Sequence, residues 1–249
     1  MNYIQRTLPS GRIIVGISGI PASGKSIFAQ HLVDHLNRHF SAADQNETIG
    51  KIRRAVLVGL DGWHYTRAQL DLFPEPKLAH DRRGSHWTFD STAYVDFVCR
   101  LREETGNDTI LSAPSFDHAL KDPTPDLVLV HPYHRIVVIE GLYVFLAIDP
   151  WRKAGMMLDE RCLLEVNPND ARTRLVTRHV ITGVAKDLAE ANWRADENDI
   201  PSEYGRWFLN ASFICYHQMA ISYSEIYSSQ RESYGAKMII FLPRVQLNE

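Results

Sequence analysis

The chain has 249 residues, 45% of them hydrophobic and 23% charged, which is ordinary for a globular enzyme with one α/β domain. Its formal net charge of -3 provides no overall basic field, which argues against nucleic acid and anionic membranes as partners. Cys99, Cys162 and Cys215 form no CxxC pair, so neither a disulfide framework nor a zinc site is expected.

Short β-branched runs alternate with helical patterns along the chain, which is typical of a mostly parallel sheet covered by helices. The predicted strands cover residues 13–17, 55–60, 109–112, 136–139, 162–166 and 238–242. Apolar residues at helical spacing follow Lys25, so the chain begins with a strand–loop–helix–strand unit. Two proline-rich, charged segments, 65–90 and 114–132, are predicted to be loops above the carboxyl ends of strands, where α/β sheets bind ligands.

The loop after the first strand matches the phosphate-binding pattern G-x-x-x-x-G-K-S. Its residues are Gly19, Ile20, Pro21, Ala22, Ser23, Gly24, Lys25 and Ser26. Glycines allow consecutive N–H groups to point at phosphate oxygens beside the positive end of a helix. The lysine is expected to reach the β- and γ-phosphates, and the hydroxyl of Ser26 is expected to coordinate Mg²⁺. The sequence therefore predicts a three-layer P-loop NTPase fold that uses ATP and Mg²⁺.

Two acidic residues each end an apolar strand close to this loop. Glu140 follows residues 137–139, and Asp61 follows the second strand. A carboxylate at such a place can hold Mg²⁺, or it can act as the general base for an attacking hydroxyl. Either acid taken alone is better explained as a cap, but their joint position, each closing an apolar strand next to the phosphate loop, favours a role in the reaction. Spacing alone does not decide which acid is the base and which is the metal ligand.

These motifs resemble those of the uridine kinase, phosphoribulokinase and pantothenate kinase group of P-loop kinases. The segments 60–64, 79–84 and 88–90 look closer still to a fungal branch of uridine-kinase-like ATPases. Further matches are at 114–118, 121–123, 138–143 and 178–179, and the similarity runs from about residue 11 to 210. The chain departs from uridine kinases at residues 62–64, where Gly-Trp-His replaces the usual Ser-Phe-Tyr.

The resemblance implies a role for several residues. Asp61 would be the base, Glu140 would be a partner of Mg²⁺, and Arg174 and Arg178 would clamp phosphates from a helical lid at about residues 172–205. The two arginines are four residues apart and would share a helical face. The whole chain, 1–249, is then a single kinase domain.

The acceptor site is predicted from the two loop segments. Arg82, Arg83 and Lys121 are candidates to meet an anionic or carbonyl-rich acceptor, and the alternative is a solvated loop. Trp63 and Phe116 are candidates to stack on a ring, with the hydrophobic core as the alternative. His64 and His118 are candidates to bond acceptor hydroxyls, and Asp117 lies in the segment that matches the family.

The expected activity is ATP-dependent phosphoryl transfer to an alcohol group, with a nucleoside such as uridine as the leading acceptor. The alternative is a P-loop ATPase with a binding or regulatory role and no small acceptor. A GTP-binding switch is disfavoured because the chain has no Asn-Lys-x-Asp tetrapeptide. No apolar run has the length of a membrane span, so the expected location is the cytoplasm, with the nucleus as an alternative.

Overall fold

A β-sheet forms the centre of the computed structural model, which describes residues 11–43, 54–103, 109–117, 120–199, 218–222 and 237–241. The strands in these residues are β1 (Ile13–Gly19), β2 (Ala55–Gly59), β3 (Leu111–Asp117), β4 (Asp122–Val130), β5 (Ile136–Glu140), β6 (Glu160–Glu165), β7 (Gln218–Ser222) and β8 (Lys237–Phe241). The main sheet has the order β2–β5–β1–β6–β8–β7. Its first four strands are parallel to one another, β8 pairs antiparallel with β6, and β7 pairs antiparallel with β8. The mostly parallel sheet is therefore confirmed, with four mutually paired parallel strands in the described residues.

Helices cover both faces of this sheet. Those in the described residues are α1 (Lys25–Ala43), α2 (Arg67–Leu70), α3 (Pro76–Asp81), α4 (Ser91–Glu103), α5 (Trp151–Met156), α6 (Pro168–Ile181) and α7 (Leu188–Arg194), with 3₁₀ turns at Leu60–Trp63 and His86–Thr88 and a π-helix at Ala195–Asp199. In the described part of the chain, no helix has the length and apolarity that crossing a membrane requires.

The interior strand β5, between β2 and β1, shows why the fold has three layers. Its residues 136–139 are all buried, and they contribute alternately to two hydrophobic clusters. Val137 and Ile139 pack in the cluster that includes residues of α4 and α5, whereas Ile136 and Val138 pack in the cluster that includes α1. Successive side chains of a strand point to opposite faces, so a continuous apolar run requires cover on both sides.

The segment 114–132 differs from the predicted loop. It contributes most of a two-stranded antiparallel hairpin of β3 and β4, which is separate from the main sheet. Leu111, Ala113 and Val130 are buried and anchor the base of the hairpin in the core. Proline has no N–H group to donate, so it fits where no ladder hydrogen bond is needed. This ribbon offers such positions along its outer edges and at the register shift between Ala113 and Ser115. The strand predicted at 109–112 likewise belongs to this hairpin.

The predicted lid is described as far as residue 199 and consists of α6, α7 and the π-helix; its expected last residues lie outside the described residues. Two side chains cap its helices: Asn167 accepts a hydrogen bond from Asn169 N, and Asp187 accepts one from Glu190 N. The lid has a small apolar cluster of its own, formed by Leu175, Val176, Ala185, Ala191 and Ala195. Ala22 of the phosphate loop packs against this cluster, so the lid lies directly on the loop.

Candidate active site

The phosphate loop connects the end of β1 to the first turn of α1. Ser23 N donates to Ile20 O at 3.1 Å, and the loop turns through two residues with positive φ, Ala22 (59°) and Gly24 (89°). A Cβ on Gly19 would lie 2.7 Å from Ser23 Oγ and 3.0 Å from the carbonyl oxygen of Leu164, so this position has no room for a side chain. The loop ends at the N-terminus of a 19-residue helix. Free N–H groups and the helix dipole at this end favour an anion.

Ser26 and Glu140 form the first polar pair beside the loop. Ser26 Oγ donates to Glu140 Oε1 at 3.2 Å, while the buried Oε2 of Glu140 has no hydrogen-bond partner among the described residues. Burial, reinforced by Asp61 and opposed by Lys25 and Ser26, raises the pKa of the Glu140 carboxyl above its usual value. A hydroxyl beside an unsatisfied carboxylate oxygen is a donor set that suits Mg²⁺, and a cation there would favour the ionised carboxylate. These residues therefore fit the predicted metal.

Asp61 lies at the end of the neighbouring strand. Sheet pairing aligns Gly59 of β2 with Glu140 of β5, so both predicted acids occur at the same edge of the sheet. The Asp61 side chain is 51% exposed, in contrast to the buried Oε2 of Glu140. An exposed carboxylate beside the phosphate site is available to an acceptor that arrives from solvent, which is the arrangement a general base needs.

The 3₁₀ turn that carries Asp61 is packed tightly against the hairpin. A Cβ on Gly62 would lie 2.3 Å from the carbonyl oxygen of Pro114, so the turn approaches β3 more closely than a side chain allows. His64 closes the turn, and its Nδ1 lies 2.8 Å from the carbonyl oxygen of Asp61. A carbonyl oxygen only accepts, so Nδ1 carries the proton of this bond.

The two predicted aromatic residues of the acceptor site have different surroundings. Trp63 is only 5% exposed and packs on Tyr94 and Phe97 in the core, at centroid distances of 5.4 and 5.2 Å. This burial favours the hydrophobic core, the alternative that the sequence left open for Trp63, over stacking on an acceptor. Phe116 is partly exposed and lies 5.2 Å from the ring of His64. The ring of His64 lies 3.8 Å from Phe89 on another side.

Three basic residues were predicted to contact the acceptor. In the structure, all three form hydrogen bonds with other parts of the protein. Arg82 donates through one of its terminal nitrogens to the carbonyl oxygen of Glu197 in the lid, and Lys121 Nζ donates to Gly183 O at 3.2 Å. Arg83 donates to Lys121 O at 2.6 Å and to Tyr65 O at 2.8 Å, and it forms an ion pair with Asp122 at 2.8 Å. Each of the three cations therefore has a protein partner, and their contact with an anionic acceptor stays a prediction.

The remaining predicted residues are in the hairpin turn and the lid. Asp117 Oδ1 accepts a hydrogen bond from Leu120 N in the turn, and His118 lies outside the described residues. Arg174 and Arg178 lie on one face of α6, as their spacing predicts. Together with Thr173, Thr177 and Ile181 they line an open groove of about 410 Å³. Arg172, by contrast, is paired with Asp196 at 2.7 Å within the lid.

Sequence reasoning missed two charged residues at the junction between the hairpin and the segment 65–90. Asp122 accepts hydrogen bonds from both Arg67 and Arg83, and it thereby connects the hairpin to the segment that follows the 3₁₀ turn. The Lys121-Asp122-Pro123 run was a signal for Asp122, since it is part of the family resemblance. Arg67 had no such signal.

Comparisons with known proteins bear on the fold and on the class of enzyme. No family model matches the chain. The chain is 41% identical over 163 residues to the ATP-dependent kinase-like protein notR' of Aspergillus versicolor, which covers 65% of this chain and 90% of the relative. It is 36% identical over 189 residues to a Schizosaccharomyces pombe protein named "putative uridine kinase", with 76% of this chain and 75% of the relative covered. The crystal structure of the ATP-dependent kinase YFH7 of Saccharomyces cerevisiae has a TM-score of 0.71 over 84% of this chain and 92% of its own, at 23% identity, and shares the fold.

Proposed function

The chain belongs to the family of ATP-dependent P-loop kinases related to uridine kinase, and from this premise we propose that it transfers the γ-phosphoryl group of ATP to a hydroxyl of a nucleoside. One observation carries the proposal. The half-exposed carboxylate of Asp61 lies near the Ser26–Glu140 pair and near the aromatic rings of His64 and Phe116. A phosphate site, a base and an acceptor surface then meet at one edge of the sheet. Uridine is the first acceptor to test.

The phosphate half of the reaction is assigned to the loop and the first turn of α1. The N–H groups of the loop and the ammonium of Lys25 would neutralise the β- and γ-phosphate oxygens, where charge concentrates in the transition state. Ser26 and Glu140 would hold Mg²⁺, which supplies further charge neutralisation when bound. Arg174 and Arg178, on the exposed face of α6, are proposed to contact the phosphates from the lid.

The acceptor half is assigned to Asp61 and the aromatic surface beside it. Asp61 would accept the proton of the attacking hydroxyl, because a carboxylate within hydrogen-bond reach of that hydroxyl makes it a better nucleophile. The partly exposed Phe116, backed by the ring of His64, is proposed as the surface on which a flat base stacks. Arg82, Arg83 and Lys121 already bond to carbonyls or to Asp122, which favours an uncharged acceptor over a phosphorylated or carboxylated one.

The alternative is an ATPase without a small acceptor, and an acceptor panel distinguishes the two. ATP consumption would be measured with uridine, other nucleosides, pantothenate and sugar phosphates, and ³¹P NMR would identify the product. The kinase proposal expects consumption to rise with uridine or another nucleoside and a phosphomonoester signal to appear. Uridine and its 5′-monophosphate form an informative pair, since the second is charged and has no free 5′-hydroxyl to accept the phosphoryl group. A flat background with every acceptor would select the ATPase.

The separate roles of the two acids provide a second test. Asp61→Asn preserves the shape of the side chain and removes only its capacity to accept a proton. Acceptor-dependent turnover should therefore fall by about 10²–10⁴, while ATP binding stays nearly intact. Glu140→Gln should instead slow both transfer and background hydrolysis, because phosphate neutralisation is needed whichever nucleophile attacks. If Asp61→Asn abolishes nucleotide binding and Glu140→Gln spares it, the roles are reversed.

The cellular location is proposed from the thiols. Cys99 and Cys162 are both free in the structure. Burial, and then the nearby Glu160, raises the pKa of the Cys162 thiol to about 12, which keeps it unreactive. Free thiols are usual in a reducing compartment, which supports the cytoplasm.

A further inference from the structure

One carboxylate, that of Asp122, joins two arginines at the start of β4. Asp122 Oδ2 accepts a hydrogen bond from Arg67 Nε at 3.0 Å, and Oδ1 accepts from the main-chain N of Arg67 at 3.0 Å and from Arg83 at 2.8 Å. Burial alone would raise the pKa of Asp122, but these bonds outweigh it, so the pKa lies below its usual value. Asp122 is thus a fixed anion at the junction of the hairpin and the segment 65–90.

Arg83 forms hydrogen bonds to three separate residues at this junction. Its guanidinium donates to the carbonyl oxygens of Tyr65 and Lys121 as well as to Asp122, so it ties the chain just after the 3₁₀ turn to the tip of the hairpin. Only 16% of the side chain is exposed. A planar guanidinium fork can satisfy several acceptors at once, which a lysine ammonium cannot do with the same geometry.

The same guanidinium also supports the aromatic surface. The Cζ atom of Arg83 lies 5.6 Å from the centroid of the Phe116 ring, within the range of a cation–π contact. Phe116 in turn lies 5.2 Å from the ring of His64, whose Nδ1 donates to the carbonyl oxygen of Asp61. A continuous set of contacts therefore runs from Asp122 through Arg83, Phe116 and His64 to the residue proposed as the base.

We propose that Arg83 and Asp122 are positioning residues that hold the His64–Phe116 surface beside Asp61 and thereby set the affinity for the acceptor. Neither residue touches the reacting atoms in this assignment. The proposal rests on the function proposed above for Asp61 and the aromatic surface. It assigns to Arg83 a role that differs from the direct contact with the acceptor expected from the sequence.

The test compares Arg83→Met with a matched control, Arg67→Ala. Methionine keeps the unbranched stem and removes the guanidinium, whereas Arg67→Ala removes the other cation from the same carboxylate without touching Phe116 or Tyr65. Arg83→Met should raise the KM for uridine by about tenfold or more, since it removes hydrogen bonds to a charged group and a ring contact. The KM for ATP and the background hydrolysis should not change. Arg83→Lys should recover part of the uridine affinity, and Arg67→Ala should retain it.

A second readout does not require turnover. The ring protons of His64 give an NMR signal that His64→Gln identifies by removing it. Arg83→Met should move this signal by more than its line width, because Phe116 shifts relative to the imidazole, and Arg67→Ala should not. If Arg83→Met fails to fold, Arg83→Lys is read in the same way, with a smaller displacement of the signal expected.

The outcomes separate this inference from the proposed function. An Arg83 variant that leaves both the His64 signal and the KM for uridine unchanged overturns the positioning role. Equal effects of Arg83→Met and Arg67→Ala overturn it as well, because they would indicate general anchoring of the hairpin. If the wild-type protein transfers phosphate to no acceptor, the proposed function fails, and the His64 signal still decides whether Arg83 holds the aromatic surface.

Discussion

Gly62→Ala tests the link between the position of Asp61, the proposed base, and turnover. Gly62 follows Asp61 in the 3₁₀ turn, and the turn lies against β3. The added methyl group would sit 2.3 Å from Pro114 O and 2.6 Å from Pro114 C, which are main-chain atoms that cannot rotate away. The turn, the hairpin or both must therefore move.

The size of the movement follows from these distances. An ordinary contact begins at 3.4 Å, so the turn and the strand must separate by about 1 Å. Overpacking of this kind typically costs about 1–3 kcal/mol, which a domain of this size tolerates without unfolding. Misplacement of a catalytic group by about 1 Å can reduce turnover by about 10²-fold. We expect Gly62→Ala to lose acceptor-dependent turnover to this extent and to keep its affinity for ATP.

The assay measures initial rates with the acceptor identified by the panel, together with nucleotide titration and circular dichroism. Gly59→Ala is the matched control, because the new methyl group would meet only Glu140 Oε1, at 3.8 Å. It makes the same chemical change three residues earlier without a clash. Folded Gly62→Ala protein with the same turnover as Gly59→Ala would refute the reasoning, since the approach of the turn to β3 would then not determine where Asp61 lies.

Three further predictions concern charge. Lys25→Ala should lower turnover by about two orders of magnitude, or ~3 kcal/mol, because a cation is lost from the phosphates; rates close to wild type would exclude the assigned role. Ser26→Ala should shift the Mg²⁺ titration of activity to higher concentration, and an unchanged titration would argue against Ser26 as a ligand. Burial, and then the nearby Asp159, raises the pKa of the Glu160 carboxyl to about 7. The folded chain therefore holds this proton more tightly than the unfolded chain does. The free energy of unfolding should decrease as pH rises from about 4.5 to about 7. Urea unfolding across this range should show a smaller decrease for Glu160→Gln, and an identical decrease would contradict the assignment.

The phosphate loop and the two strand-end acids could be predicted because their signals are local. The loop is contiguous in sequence, and Asp61 and Glu140 each follow an apolar run that the sequence marks as a strand. Parallel strands that are neighbours in a sheet bring their carboxyl ends together, and the pairing of β2 with β5 does so here. No information about distant contacts was needed for these predictions.

The hairpin and the partners of the basic residues could not be predicted in this way. Its prolines resemble those of a loop, and only the burial of Leu111 and Val130 against distant residues makes the segment a ribbon. Trp63 follows the acid in sequence, but its ring points into the core because Tyr94 and Phe97 of α4 lie beneath it. A charge pattern marks a residue such as Arg83 as a possible ligand without indicating that Asp122, 39 residues away, already pairs with it.

The hairpin of β3 and β4 shares no strand pairing with the main sheet in the described part of the chain. Mutations in its outer half can accumulate without disturbing the ladder that carries the phosphate loop and Glu140. With the acceptor surface assigned to the hairpin as proposed, natural selection could alter the choice of acceptor there while the ATP site is inherited unchanged. Relatives that descend from one ancestral kinase could in this way come to differ in substrate. Exchanging the hairpin between two relatives would test whether it determines the acceptor.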